Sequence, residues 1–516
     1  MPLSPADSSY MEPLLGVDED ASEEVERDVE SNVPDVEHIR SSPTTPLPKL
    51  QLFVLLYMQF AEPMTTHVMG PFIVQLVLET GITNGDVTKV GYYTGIIDSL
   101  FYLAEALTIL QWGRLSDRIG RRPVLLIGLF GLSLSMFLFG LAHAFWLVVA
   151  SRAIGGLLNG NIGVIKSTIG ELTDDTNVAQ AFAMLPITFA LGNTLAPLIG
   201  GSLQHPYEQL GGVFLTEFWH ANPYFLPCVT VALVSISAFL ACVFLLRETA
   251  PCRIKGSSTK DPLYLPIETD TSHATSSEVP MIITEHTPLL SLKESESGPP
   301  LRSLLTPRVL LVIINYSILG VIEVAFAILQ PLVLSTPIQH GGLGMSPSTI
   351  GVCMATFGIT NGAVSALFFA PFARAFGIKT VTTAGAAAYF GCYALFPLMN
   401  ALAKIEEKVT SLVWIVLFAQ LSLATLPPMA FGSIFIYLTH AAPSRSALGA
   451  TNGLAQTITS IMRSFGPAGA TALFALSIKR NLLGGNLVYI VLCLLAIFAV
   501  MLTRLFPAKP WDRIND

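Results

Sequence analysis

The sequence predicts an all-α membrane protein of twelve transmembrane helices in two pseudo-symmetric six-helix halves. Three observations predict it. The 516 residues are 52% hydrophobic and only 12% Asp, Glu, Lys and Arg, with a mean hydropathy of +0.60, too apolar for a soluble chain of this length. A bilayer core about 30 Å thick needs roughly 20 mostly apolar helical residues, and twelve stretches supply them: 51–77, 91–111, 124–143, 145–168, 180–202, 222–246, 309–333, 348–371, 379–400, 411–438, 447–477 and 486–505. Between the sixth and seventh, a stretch rich in Ser, Thr, Pro and Glu lacks the apolar surface to fold alone and divides the chain into six plus six, the pattern of an internal repeat.

Taken in order, residues 1–49 form a disordered, acidic and proline-containing tail ("VDEDASEEVERDVE"), 50–246 the first half, 247–308 a disordered linker, 309–506 the second half and 507–516 a short tail. The first apolar run follows the acidic tail rather than a basic n-region, so it is expected to stay in the membrane instead of being cleaved as a signal peptide. The net charge is -8, and its acids gather in the first tail and in part of the linker rather than over a uniform surface, which argues against nucleic acid as a partner. Five of the six cysteines fall in apolar runs, with no metal-ligand spacing; free thiols and no metal or other cofactor are expected.

Basic residues give the orientation. Four arginines lie at 112–123, seven Lys or Arg between Arg247 and Arg308, and Arg504, Lys509 and Arg513 at the end, whereas 203–221 and 334–347 hold none. Both termini and the linker are therefore expected to be cytoplasmic. Lys404 with Lys408, and Lys479 with Arg480, depart from the pattern locally.

The 112–123 segment, "WGRLSDRIGRRP", concentrates Arg114, Asp117, Arg118, Arg121 and Arg122 between two apolar runs. Positive-inside arginines without further role would explain the charge alone. The spacing adds a second reading: Gly113 and Gly120 bracket Asp117, allowing helix ends to approach. Asp117 among cations can then make charge-assisted hydrogen bonds, or sit at a helix N-terminus, in one conformation and lose them in another. Gly113, Asp117, Arg118, Gly120, Arg121 and Arg122 are accordingly the candidate cytoplasmic gate.

"GRLSDRIGRRPVL" at 113–125 resembles the signature between the second and third spans of the major facilitator superfamily. "SRAIGGLLNGNIG" at 151–163 is similar to the arginine-bearing fourth-span motif of its drug:proton antiporters, and "GNTLAPLIGG" at 192–201 to their fifth-span motif, with Ala196 where glycine is usual. "LLNGNIGVIKSTIGEL" and "ATNGLAQTITSIMRSFGPAGATALF" resemble zinc-induced-facilitator-like and fungal tetracycline-resistance-like members. The resemblance implies the major facilitator fold, solute transport by alternating access, and a proton-assisting role for Arg152. The matching turn of the second half, "PFARAFGIKT" at 371–380, keeps Arg374, Gly377 and Lys379 but has no aspartate, so one gate is expected to be strong and the other degenerate.

Ionisable side chains at bilayer depth are costly, and each is a functional candidate. Glu62 in "FAEPMTTHVMGP" and Glu323 in "GVIEVAFAILQP" stand at matching places in the first and seventh spans, ahead of Pro71 and Pro331. Two readings stand for them: proton or cation binding in a shared cavity, or carboxylates that only hydrogen-bond their neighbours. A low-dielectric setting favours the neutral carboxyl, which lets such a group load a proton on one side and release it on the other. Asp98 and Glu105, about two turns apart on one helix face, are either a relay or partners of Arg152 or Lys166. Arg152 is either a proton-path cation or one that snorkels to the surface. His67 is read as a hydrogen-bonding helix residue, and Arg463 as a cation with an acid or a helix end for a partner. Gly192, Ala196 and Gly200, with Pro197 and Gly201, form a small-residue strip for close helix packing, and Gly466 and Pro467 open a second in "GPAGA".

The expected protein is a secondary transporter, working as a monomer, that exchanges a small organic solute for protons, with drugs, amino acids and metal chelates all suited to its cavity. No Walker loop and no nucleophile–base set points to ATP coupling or to an enzyme. A non-transporting receptor or sorting adaptor with the same fold, and a proton-coupled importer or passive facilitator, are the alternatives. "EHTPLL" at Glu285–Leu290 fits an acidic dileucine signal read by a sorting adaptor, so the vacuolar membrane stands beside the plasma membrane as the location.

Overall fold

The computed structural model describes residues 45–173, 177–249, 304–443 and 448–511. The tail up to residue 44, most of the linker and Glu285–Leu290 lie outside the described residues, as do 512–516. All regular structure among the described residues is helical, within the compact unit Leu47–Asp516. The first half holds α1 (Lys49–His67), α2 (Ile73–Glu79), α3 (Val90–Ile119), α4 (Arg121–Gly140), α5 (Phe145–Leu158), α6 (Asn161–Leu172), α7 (Val178–Leu203), the short α8 (Pro206–Gln209) and α9 (Glu217–Ala221), and α10 (Phe225–Leu245). The second holds α11 (Pro307–Ser335), α12 (Pro347–Phe376), α13 (Ile378–Glu406), α14 (Ser411–Leu423), α15 (Pro427–Ala441), α16 (Leu448–Lys479) and α17 (Leu487–Arg504).

Eleven of the described helical stretches are long and apolar enough to cross a bilayer. The first expected span is the exception, because it is broken and polar. Gly70 and Pro71 fall where α1 gives way to turns before α2, and Gln59, Glu62 and Thr65 dilute its apolar face. The fourth and tenth spans are also split: α5 and α6 part at Asn159–Gly160, and α14 and α15 part before Pro427. Conversely, α3 and α12 run past their apolar stretches to Ile119 and Phe376. Each ends on one glycine in the left-handed region, Gly120 at φ 105° and Gly377 at φ 81°, from which the next helix starts at once.

The halves meet along two helix pairs, α3 with α16 and α7 with α12. Glycines mark the closest approaches. A Cβ on Gly91 would lie 2.8 Å from the Thr471 carbonyl oxygen, and one on Gly95 would lie 2.9 Å from Ala468 Cα. Ala468 N–H donates to Ser99 Oγ at 2.9 Å, adding a hydrogen bond across the halves. On the other side a Cβ on Gly201 would reach the Pro347 carbonyl oxygen at 2.6 Å, and Gly358 faces the Thr194 backbone. All of these contacts occupy the beginnings of α3 and α12, hence the end of the bundle remote from Gly120 and Gly377. Toward the glycine turns, Leu107, Leu367 and Phe376 are exposed.

Small residues thus do two jobs in the fifth span. Gly192 and Gly200 face Pro63 and the Val68 carbonyl of the first span, and Ala196 is fully buried, whereas Pro197 and Gly201 turn toward Gly351 of the other half. Gly466 packs on Val321 of α11, and the Pro467 carbonyl oxygen approaches Gly95.

Candidate functional site

Pro63 removes one backbone donor from α1, and Gly192 is where α7 comes up against its ring. One residue earlier, Glu62 is only 8% exposed, and its Oε2 has no hydrogen-bond partner. The break in the fourth span brings the next component. At Asn159 the backbone leaves the helix (φ -81°, ψ 84°), and Trp112 Nε1 donates to the Leu157 carbonyl at 2.8 Å, satisfying an acceptor near the break. Gly160 accommodates the Trp112 side chain, and Gly128 accommodates that of Asn161. The Asn159 side chain is thereby buried between two carboxyl groups: its Nδ2 donates to Glu105 Oε1 at 3.2 Å, and it faces Glu62. Glu62 and Glu105 form one group with an amide bridge, with Lys166 and Arg463 as the nearby cations.

Asp98, on the same helix as Glu105, serves a different partner. Its Oδ1 is 3.6 Å from Arg152 Nη2, and the Arg152 guanidinium lies 4.4 Å from the centroid of the Phe101 ring. Arg152 is fully buried, and its Nη1 reaches the Thr65 carbonyl at 3.5 Å. The snorkelling reading is therefore corrected: charge and aromatic attraction offset desolvation inside the bundle, and the guanidinium does not reach the surface. A direct Asp98–Glu105 relay is not formed in this conformation, since each acid has its own neighbour.

In the second half Arg463 finds its partner. Its Nη2 donates to Glu323 Oε2 at 2.5 Å, and Gly320, one turn earlier on α11, makes room, because a Cβ there would lie 2.9 Å from Arg463 Nε. Phe431 stands 5.9 Å from the same guanidinium, and Phe435 of this half lies 5.9 Å from Lys166 Nζ of the other. Arg463, the partner of Glu323, is also one of the cations near Glu62. His67 makes an edge contact with Phe189, and among the described residues no cluster of three or more His, Cys, Asp or Glu is placed to hold a metal.

The gate candidates form a network inside the first half. Arg121 Nη1 donates to Asp117 Oδ1 at 2.6 Å and to Ser116 Oγ at 2.6 Å, while Nη2 donates to Glu171 Oε1 at 2.8 Å. Glu248, just beyond α10, accepts from the backbone N–H of Arg121 at 2.7 Å and of Arg122 at 3.2 Å, supplying in trans the cap that Gly120 cannot. Arg122 also donates to the Val243 carbonyl, and Arg118 is exposed. One expectation fails. Gly113 lies within α3, and a Cβ there would meet nothing within 4 Å, so only Gly120 permits a close approach, that of Glu248. The helix continues through Asp117 because this arginine-rich turn projects beyond the apolar stretch and keeps its own backbone bonds.

Asn159, Gly320, Phe101 and the Phe431–Phe435 face were not singled out from the sequence. The available signal was the Asn-Gly pair inside an apolar run, a turn dipeptide where a helix was expected.

Residues 55–467 match the family model described as Major Facilitator Superfamily. The chain is 30% identical to the major facilitator superfamily multidrug transporter mfsB of Aspergillus fumigatus, over 81% of this chain and 77% of that one. It is 26% identical to Protein ZINC INDUCED FACILITATOR 1 of Arabidopsis thaliana, over 88% and 91%. Among solved structures, the human organic anion transporter MFSD10 (TETRAN) superposes with a TM-score of 0.56 at 17% identity, covering 89% of this chain and all of that one, a likeness of fold.

Proposed function

Because this chain belongs to the Major Facilitator Superfamily, and is thus a multi-pass membrane transporter of small molecules, we propose that it exchanges a small organic solute for protons by alternating access, with Glu62 and Glu105 as the proton-carrying pair. One observation carries the reading. Glu323 is hydrogen-bonded to a guanidinium and Asp98 Oδ1, itself without a hydrogen bond, has one 3.6 Å away, whereas the buried Glu62 oxygen without a hydrogen-bond partner sits beside a second acid and an amide. A proton is the smallest group that satisfies such an oxygen, and it can leave again when the surroundings change.

The contacts between the halves supply the alternation. With the cytoplasm assigned to the arginine-rich side by the positive-inside bias, the glycine-pinned seal of α3–α16 and α7–α12 closes the opposite side, and the site is reached from the cytoplasm. Reversal would part these close contacts and bring the Asp117–Arg121 network toward the second half. Similarity to a multidrug transporter favours an organic compound as the solute, and the acidic dileucine pattern favours a vacuolar over a plasma membrane.

The test is purified protein in liposomes with an imposed pH gradient and a panel of cationic, zwitterionic and anionic organic solutes. Solute accumulation that discharges the gradient is expected. Accumulation that leaves the gradient untouched would replace exchange by facilitated diffusion, and no accumulation of any solute would remove the transport reading in this form.

A further inference from the structure

A cavity of about 720 Å³ lies apart from the central site, between the start of α1 and the end of α10. Gln51 ties its walls together: Nε2 donates to the Leu245 carbonyl at 2.9 Å, and Oε1 accepts from the Arg247 N–H at 2.9 Å. Lys49, Arg122 and Arg247 contribute three cations to the lining. The acid among them, Glu248, is directed to the backbone N–H groups of Arg121 and Arg122. Arg122 donates to the Val243 carbonyl, yet its Nε is buried without a hydrogen-bond partner. At the same opening α1 begins with Pro48, which offers no side-chain cap, and its first turn holds no acid, so the helix end adds to the positive potential.

The flank of this cavity is apolar and faces outward. Phe244 is 77% exposed, Leu50 55% and Leu245 42%, on helices that elsewhere bury their faces in the bundle. Cations inside and exposed apolar side chains outside, at the end of two membrane-spanning elements, match a molecule with a phosphate at one end and acyl chains at the other. A free anion would use the cations and leave the apolar flank unused. We propose that this cleft binds the headgroup of an anionic phospholipid, with its phosphate among Lys49, Arg122 and Arg247 and its chains along Phe244 and Leu50. Basic residues at the membrane surface draw anionic lipid to the leaflet they face. The bound lipid would brace the first and sixth spans and the start of α4, all in the first half.

The full chain, purified and placed in nanodiscs of phosphatidylcholine with or without phosphatidylserine, tests this. Native mass spectrometry is expected to find one retained phosphatidylserine, and the thermal unfolding midpoint to rise with that lipid. Lys49→Gln with Arg247→Gln should lower retention roughly thirtyfold while keeping the parent midpoint in phosphatidylcholine alone; the charge-preserving pair Lys49→Arg with Arg247→Lys should retain the lipid. Inorganic phosphate and soluble glycerophosphoserine should reproduce little of the midpoint shift. Equal retention in the glutamine variant, or a full shift from inorganic phosphate alone, would overturn the proposal.

Discussion

Glu62 and Glu323 stand at matching places in the two halves, but their surroundings differ in kind. Glu323 has the Arg463 guanidinium at 2.5 Å and a side chain 40% exposed, whereas Glu62 is 8% exposed, with an oxygen that no donor reaches and an amide linking it to Glu105. The turns repeat the contrast. Gly120 is followed by N–H groups capped by Glu248, beside the Asp117–Arg121–Glu171 network, while after Gly377 Lys379 reaches the Arg504 carbonyl at 2.9 Å and Arg374 only the Ala370 carbonyl of its own helix. The repeat therefore preserves where groups stand and not what they do. At the matched glutamates, the first half holds an acid without a hydrogen bond on one oxygen beside a second acid, and the second half holds a closed ion pair.

Substitutions can break this contrast. The largest stability effect is expected at the fixed pair: Arg463→Met leaves the partly exposed Glu323 without its cation and should cost about 1.5–3 kcal/mol. Adding Glu323→Gln should recover most of that loss in thermal unfolding, because the uncompensated charge is gone; a double variant as unstable as the single would show that Arg463 acts through packing instead. Next is the seal. Gly201→Ala drives a methyl group against the Pro347 carbonyl, and at about 1–3 kcal/mol it should shift the chain toward the opposite-facing state. An engineered thiol near Glu62 would then react more readily from the side remote from Gly120, and unchanged reactivity would place the seal elsewhere. The smallest effect sharpens the comparison of the turns. Glu248→Ala removes the acceptor for two N–H groups at the start of α4 and should cost about 0.5–2 kcal/mol, whereas Lys379→Gln at the matching turn should fall within about 0.5 kcal/mol of the parent. Equal losses would mean that the turns are not specialised.

The sequence made the spans legible because apolar runs must match a bilayer, and it made Glu62, Asp98, Glu105, Arg152 and Glu323 legible because charge is rare within them. Pairing was not legible. Arg463 and Glu323 are 140 residues apart, and which faces meet depends on helix rotation and depth, which no single run encodes. The breaks were hidden for a different reason: the runs stay apolar across Asn159–Gly160 and before Pro427, so length alone reads each as one helix. In the N-terminal half that hidden break supplies Asn159, the residue that joins the two acids.

The most direct test of the division of labour places Glu62→Gln and Glu323→Gln side by side in liposomes and reads solute-dependent proton movement under an imposed pH gradient. Glu62→Gln is expected to abolish proton movement in a folded protein, while Glu323→Gln keeps it. Proton movement that survives Glu62→Gln and vanishes in Glu323→Gln would contradict the account.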